Sequence, residues 1–433
     1  MKPLNRRAFL SLAGGISGLA IAGCANADNK VAQASGKKVV VVGGGFAGAT
    51  VAKYLRKFDA SVQVTLIDEN PQYITCPASN WVIGGFRELS TLTWDRGALH
   101  SRHGVTLVQD LVTTIDPDAK SVTTKKGDKF VYDRLIVAPG IAIKWNGLEG
   151  YDEAAAELLP HAWKAGAQTT LLRKQLEALP DGGKVFMVCP ANPFRCPPGP
   201  YERASLIAHY LKTNKPKSKL VLFDAKDNFS KQGLFEKAWA NLYGYGTAQS
   251  LIEWVPASKD GKIVQVDVKN KTLISEFGEK HKGDVINVIP PQQAGIIAQT
   301  AGLSNETGWC AVDAQTWESK KYPFIHLIGD ASIAGAMPKS GSSANSQAKF
   351  CAAAVIALLN EVAPPKPTWL NVCYSLVNPE YAISVTSVYA LDAEQKVAEI
   401  KASAGVSKPE SNKQLEALYT ENWYQNIVKD SFL

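Results

Sequence analysis

The sequence predicts an α/β chain: two doubly wound, Rossmann-type folds followed by a small C-terminal α+β region. Three stretches point to it. The β-branched run Lys38-Val39-Val40-Val41-Val42 leads directly into Gly43-Gly44-Gly45-Phe46-Ala47-Gly48. A second set of strands opens at Gly182-Gly183-Lys184 and continues with Lys219 to Phe223 and Asp224. A late apolar strand, Phe324 to Ala331, then returns to the first fold. Short apolar runs bounded by turn residues read as buried parallel strands.

The first stretch is the most informative. Gly43, Gly45 and Gly48 occupy the three positions of a G-x-G-x-x-G turn that opens a helix from about Ala47 to Phe58. Glycine serves a tight reversal, close approach of the backbone to a pyrophosphate, and packing of helix on strand. Phe46 and Ala47 lie inside the same turn. The next strand, Val62 to Ile67, ends in Asp68, about 20 residues past the last glycine, where a ribose-binding acid belongs. Strand, turn, helix and acid together predict a dinucleotide site. Farther on, Gln72-Tyr73-Ile74-Thr75-Cys76-Pro77 falls where an extended flavin would run toward its ring system. A small buried hydrophobe is the other reading of Cys76.

Tyr132 to Gly140 forms a strand with an Ala-Pro-Gly turn, suited to the exit toward an inserted domain. Flavoproteins with two dinucleotide folds place their nicotinamide-binding fold here. The glycine turn expected after Val188 is missing, and Cys189-Pro190-Ala191-Asn192-Pro193-Phe194-Arg195-Cys196-Pro197-Pro198-Gly199-Pro200-Tyr201-Glu202-Arg203 stands in its place. Proline has no N–H for a phosphate, so nicotinamide dinucleotide is not the expected electron source. The loop offers a proline-braced cysteine, Cys196, with Glu202 and Arg203 close behind; a structural loop is the alternative.

In the late strand, Gly329-Asp330 is the pattern in which an aspartate takes a ribityl hydroxyl, whereas His326 reads as a strand residue satisfied by hydrogen bonds. Pro338 to Ser346 is a cap-rich start to an alanine-rich helix reaching about Leu359. Its N-terminus can face a flavin N1/C2 edge, with Lys339 either adding to that field or solvated. Glu361 to Pro367 is a linker. Beyond it, Asn371 to Ser375 and the alternating Tyr381 to Tyr389 stretch predict a β-containing tail. The expected domains are 1–27 leader, 37–150 and 282–360 cofactor-binding, 151–281 a nucleotide-type fold without its motif, and 361–433 the C-terminal domain.

With 45% hydrophobic and 20% charged residues among 433, the chain reads as globular. Three of its net +7 charges, Lys2, Arg6 and Arg7, lie in the leader, so nucleic acid is not an expected partner. Asn5-Arg6-Arg7-Ala8-Phe9-Leu10 is a twin-arginine pattern ahead of a short apolar core, which predicts folded export to the periplasm and no integral membrane segment in the mature chain. Ala25-Asn26-Ala27 is a cleavage site for a soluble product; Ile21-Ala22-Gly23-Cys24 resembles a lipobox that would put a lipid anchor on Cys24. Either destination permits disulfides.

Taken together, Tyr73-Ile74-Thr75-Cys76, Phe194 to Ser205, Ile289-Pro290-Pro291-Gln292, Pro338-Lys339-Ser340-Gly341 and Asn371-Val372-Cys373-Tyr374-Ser375 resemble the flavoprotein subunit of flavocytochrome c sulfide dehydrogenase. The resemblance covers nearly all of the chain after residue 36. It implies a glutathione-reductase-like fold, FAD as cofactor, no resident metal, and oxidation of hydrogen sulfide to sulfur or polysulfide. Electrons would leave through a separate c-type cytochrome subunit in a heterodimer, since this chain has no Cys-x-x-Cys-His of its own. By the same resemblance Cys76 bonds the flavin 8α-methyl, Cys196 pairs with Cys373 as a redox disulfide over the ring, and Glu202 relays a proton or forms a salt bridge with Arg203. Ser332 stands where some relatives have cysteine. The rival readings are a sulfide:quinone oxidoreductase, for which the closing segment Gln414 to Leu433 is too polar, and a redox accessory flavoprotein of sulfur oxidation.

Overall fold

A computed structural model describes residues 36–433; the twin-arginine pattern and Cys24 lie outside the described residues. The first apolar run is β1 (Lys38–Val42), with Val39 and Val41 fully buried, and α1 (Phe46–Phe58) starts directly after the glycine turn. β2 (Gln63–Asp68), β3 (Thr106–Gln109) and β4 (Arg134–Val137) follow. The plan then repeats with β5 (Lys184–Cys189), α2 (Gly199–Asn214), β6 (Lys219–Asp224), α3 (Gln232–Tyr243), β7 (Ile252–Val255) and β8 (Val285–Val288). The chain comes back to the first fold as β9 (Ile325–Leu327) and α4 (Gly341–Leu359).

All strands of both sheets run parallel, in the order β9-β4-β1-β2-β3 in the first and β7-β6-β5-β8 in the second. The folds are therefore internal copies, β1 to β4 matching β5 to β8. Each carries a three-stranded antiparallel meander between its third and fourth strands, at 112–131 and 263–282. Helices cover the sheet faces, which is why the strands read as unbroken apolar runs; each fully buried valine contributes about 1.5–3 kcal/mol.

The tail is a long hairpin, β10 (Thr368–Asn378) and β11 (Tyr381–Leu391), followed by α5 (Lys413–Phe432). Trp369 on β10 is fully buried, edge-on to Trp317 at 5.5 Å. α5 lies along α1: Phe432 packs 5.5 Å from Phe46, and Lys53 donates to the Asp430 carbonyl at 2.9 Å. Tyr424 and Phe432 of α5 are buried in the core, and Trp423 is half-buried. The Tyr424 hydroxyl lies 2.9 Å from that of Thr75, the neighbour of Cys76. Among the described residues no helix is long and apolar enough to cross a membrane.

Candidate functional site

The glycine turn opens onto a cavity of about 800 Å³. Of the sequence-predicted residues, Gly43, Gly45, Phe46, Ala47, Asp68, Cys76, Gly329 and Asp330 line it, and Gly341 and Arg195 join them. Gly43 has φ +93°, and a Cβ there would lie 2.4 Å from the Ala138 carbonyl oxygen of the neighbouring turn. Gly48 faces away from the cavity: its Cβ would fall 1.7 Å from the Gly43 oxygen, so it serves the packing of α1 on β1. No side chain caps α1, which leaves its first N–H groups and positive dipole end for an anion.

Asp68 accepts the Gly44 N–H at 2.6 Å and the Asn70 N–H at 2.8 Å. Buried Arg96 pairs with the same carboxylate at 3.3 Å and donates to the Gly44 and Asn70 carbonyls, each at 2.8 Å. Sequence reading missed Arg96 because it lies in a loop without periodicity. At the other motif, the Gly329 N–H donates to Gln347 Oε1 at 2.8 Å, and Asp330 Oδ1 is buried without a hydrogen-bond partner. Burial pushes the Asp330 carboxyl above the ordinary range. An orphaned acceptor of this kind fits a cofactor hydroxyl. The open turn, the uncapped helix and this acceptor together fit a dinucleotide with a polyhydroxyl chain.

Lys339 departs from its expected place. Its ammonium neither lines this cavity nor is free in solvent; it donates to the Asp330 and Ser332 carbonyls at 2.8 Å each and lies 3.8 Å from the centre of the Trp309 ring. Burial lowers its pKa to about 8. It braces the Gly329–Ser332 turn from behind. His326 is buried, with Nδ1 2.9 Å from the Thr316 carbonyl, as a satisfied strand residue should be.

Cys76 Sγ points to the Trp163 carbonyl at 3.7 Å, an oxygen that also accepts from Arg195. Cys196 and Cys373 do not line the large cavity, but both of their segments are tied to the stretch 339–342. The Cys196 N–H donates to the Lys339 carbonyl at 2.7 Å, and the Val372 N–H donates to Ser342 Oγ at 2.9 Å. Ser340, the N-cap of α4, donates to Asn371 at 2.7 Å. Cys196 sits at φ +59°, a conformation that a non-glycine residue holds only under constraint. Gly199 makes room beside it, since a Cβ there would lie 2.9 Å from Cys196 Sγ. Both cysteines are thiols in this structure. Burial pushes the Cys196 thiol up, and neighbouring Cys373 and Glu202 add to the rise.

Glu202 does not form the salt bridge with Arg203 that the sequence offered as one alternative. Its carboxylate accepts from Asn80 Nδ2 at 2.9 Å, the Leu376 N–H at 3.0 Å and Trp81 Nε1 at 3.3 Å. Arg203 is directed instead to Asn80 Oδ1, Asn287 Oδ1 and the carbonyls of His161 and Ala162. Burial raises the Glu202 pKa despite those donors. Asn80 thus bridges the two charges, a link that linear spacing could not reveal.

At the second turn the position matching Asp68 is filled. Asp224 is fully buried and accepts from Tyr201 at 2.6 Å, Trp254 at 3.1 Å and Lys226 at 2.5 Å. Tyr201 also stacks on Phe229, ring centres 3.7 Å apart. Where a nucleotide ribose would bond, protein groups already do. Cys189, Cys310 and Cys351 are buried packing residues.

Comparison with known proteins accords with this division. Residues 169–290 match the family model for the sulfide dehydrogenase (flavocytochrome c) flavoprotein chain, central, and 365–432 match that for flavocytochrome c sulphide dehydrogenase, flavin-binding. Residues 37–176 match pyridine nucleotide-disulphide oxidoreductase. The sulfide dehydrogenase (flavocytochrome c) flavoprotein chain of Chlorobaculum thiosulfatiphilum is 61% identical over 46 residues, 11% of this chain and 96% of that sequence. The chain belongs to the flavocytochrome c sulfide dehydrogenase flavoprotein family. Mitochondrial sulfide:quinone oxidoreductase of Mus musculus is 25% identical over 310 residues, covering 68% of this chain and 65% of the mouse protein. The sulfide:quinone oxidoreductase structure from Aquifex aeolicus superposes with TM-score 0.72 over 91% of both chains at 18% identity, a likeness of fold. The tail that matches the family's flavin-binding region packs behind the cavity wall: α5 touches the lining residues Phe46 and Tyr73, and Thr75 between lining Ile74 and Cys76.

Proposed function

We propose that this chain is the flavoprotein of a periplasmic sulfide dehydrogenase, holding FAD in the first fold through a bond to Cys76 and handing electrons to a c-type cytochrome subunit. The supporting observation is the convergence of Cys196 and Cys373, from distant parts of the chain, on the 339–342 stretch beside the cavity, with the Glu202 charge acting on both.

When bound, the flavin supplies an acceptor for an electron pair that can be returned as single electrons, the form a haem takes. The chain's own residues handle the sulfur. With Cys196 and Cys373 oxidised to a disulfide, hydrosulfide attacks one sulfur and displaces the other as a thiolate, as in thiol–disulfide exchange. Glu202, held above the ordinary carboxylate range by burial, carries a proton at the edge of that pair. Asp330 and the uncapped α1 hold the cofactor, and Lys339 fixes the turn that presents Asp330.

The test is sulfide-dependent reduction of a c-type cytochrome. Cys373→Ser is expected to abolish it, a loss on the order of 10³-fold or more; undiminished turnover would end the disulfide reading. A quinone acceptor is the second reading, prompted by the sulfide:quinone oxidoreductase relatives. Substituting a soluble quinone for the cytochrome separates the two.

A further inference from the structure

The sulfur pair is not symmetric in its surroundings. Cys373 lies on β10 two residues before Ser375, so the two side chains share one face of the strand. The Ser375 hydroxyl accepts from Lys231 Nζ at 2.8 Å, while the Cys373 thiol points to the Tyr374 carbonyl at 3.7 Å. Lys231 is the residue that starts α3, held at φ +61°, a left-handed backbone that a lysine keeps only where its surroundings fix it. Its hydrogen bond runs to a hydroxyl rather than to a carboxylate, so its charge is directed at the serine. Cys196 is placed differently: its neighbouring cation, Arg195, donates to the Trp163 carbonyl, and Lys231 is the last of the charges acting on it.

The geometry assigns Lys231 and Ser375 as positioning residues that make Cys373 the leaving sulfur and Cys196 the sulfur that receives sulfide. This rests on the disulfide reading given above. Ammonium donates to hydroxyl, which leaves the hydroxyl's own proton free to turn to Cys373 on the same strand face, so a negative charge arriving on that sulfur meets a donor backed by a cation. In thiol–disulfide exchange the sulfur that better carries negative charge leaves faster. Hydrosulfide therefore forms its new S–S bond to Cys196 Sγ while the Cys196–Cys373 bond breaks. The products are a Cys196 persulfide bearing the hydrosulfide proton and a Cys373 thiolate bearing the displaced pair. The sulfide sulfur is oxidised, the Cys373 sulfur is reduced, and charge is conserved.

The groups facing Cys373 set its titration. Lys231 from α3 lowers its pKa and Ser375 from its own strand assists, whereas burial and Glu202 from α2 raise it. Cys196 and, farther out, Glu416 of α5 complete the charged set around Lys231.

Alkylation of the fully reduced, flavin-loaded protein with iodoacetamide, read peptide by peptide across pH, tests the assignment without sulfide turnover. Cys373 is expected to react with the lower apparent pKa of the two. Lys231→Met and Ser375→Ala are each expected to raise the Cys373 value by about one unit, about a tenfold slower reaction at fixed pH, and to move Cys196 by less. Lys231→Arg is expected to restore most of the difference. Flavin absorbance of each variant reports that the fold and cofactor site are intact. Equal profiles for the two cysteines, or profiles unmoved by both substitutions, would overturn the assignment. A single reaction of oxidised enzyme with sulfide, trapped by alkylation, is expected to leave the extra sulfur on the Cys196 peptide; finding it on Cys373 would also overturn it. Persistent turnover in Cys373→Ser would instead remove the disulfide reading, and the alkylation profiles would still decide the relay.

Discussion

The two strand-to-helix turns of this molecule start from the same plan and end in opposite chemistry. After β1, glycine leaves backbone bare, α1 is uncapped, and Asp68 faces a cavity of about 800 Å³. After β5, prolines close the backbone, and Asp224 is enclosed by Tyr201, Trp254 and Lys226. One turn leaves its first helical N–H groups uncapped and its acid at the cavity wall. The other satisfies its polar groups internally and so holds a cysteine rigidly at an unusual backbone angle. The difference teaches that a duplicated fold can close a nucleotide-type turn by filling it, and that the filled copy can then hold a cysteine in place, as the proposed function requires.

The contrast predicts unequal penalties for the two acids. Asp224→Asn leaves Lys226 beside a neutral group and weakens two further hydrogen bonds, for an expected loss of about 3–5 kcal/mol in chemical denaturation. Asp68→Asn is expected to cost flavin retention more than stability, because its partners are the turn and Arg96. A small stability effect at Asp224 would break the comparison.

Gly48→Ala is the next largest. Its Cβ would fall 1.7 Å from the Gly43 oxygen, so the turn must move. A loss of about 3 kcal/mol, together with loss of bound flavin, is expected. Gly199→Ala, at the start of α2, presses on Cys196 instead. It should keep its flavin while sulfide turnover falls about 10²-fold, since small displacements of reacting atoms cost that much. Flavin absorbance and turnover measured on the same samples separate the two turns.

Cys76→Ala is expected to leave stability within about 1 kcal/mol. Its signature is yellow colour released into the supernatant on denaturation, against colour retained by the unaltered polypeptide. Free flavin from the unaltered protein would remove the tether.

The smallest effect expected is a pH dependence from the buttress of the second turn. His161 accepts the Trp163 N–H at 2.8 Å on Nδ1, and burial, with Arg203 beside it, lowers its pKa from 6.5 to about 3. The folded state keeps it neutral while the unfolded state takes up a proton, so its contribution to stability is full above pH 6.5 and is lost as pH falls toward about 3. His161→Gln, measured by Tm from pH 7 to 4, is expected to flatten that limb.

Much of the first fold was legible because close backbone contact demands glycine at fixed offsets, and because Asp68 and Asp330 sit at strand ends where motif spacing is short. Ser340 announced its helix through capping chemistry. The expected pairing of Cys196 with Cys373 came from family resemblance; count and spacing left it open. Lys339 was misplaced because a lysine between proline and serine reads as solvated, whereas two carbonyls and Trp309 hold it. Arg96, Asn80 and Lys231 were invisible for a common reason: each acts across a large sequence separation, through hydrogen bonds that only the folded chain brings together.

Non-reducing peptide mapping of the protein as isolated in air, before and after anaerobic addition of sulfide, tests the role of the sulfur pair most directly. The expected result is a cross-linked pair of peptides carrying Cys196 and Cys373 that disappears on sulfide addition, with Cys373 newly alkylated. Both peptides fully alkylated before any sulfide is added would contradict it.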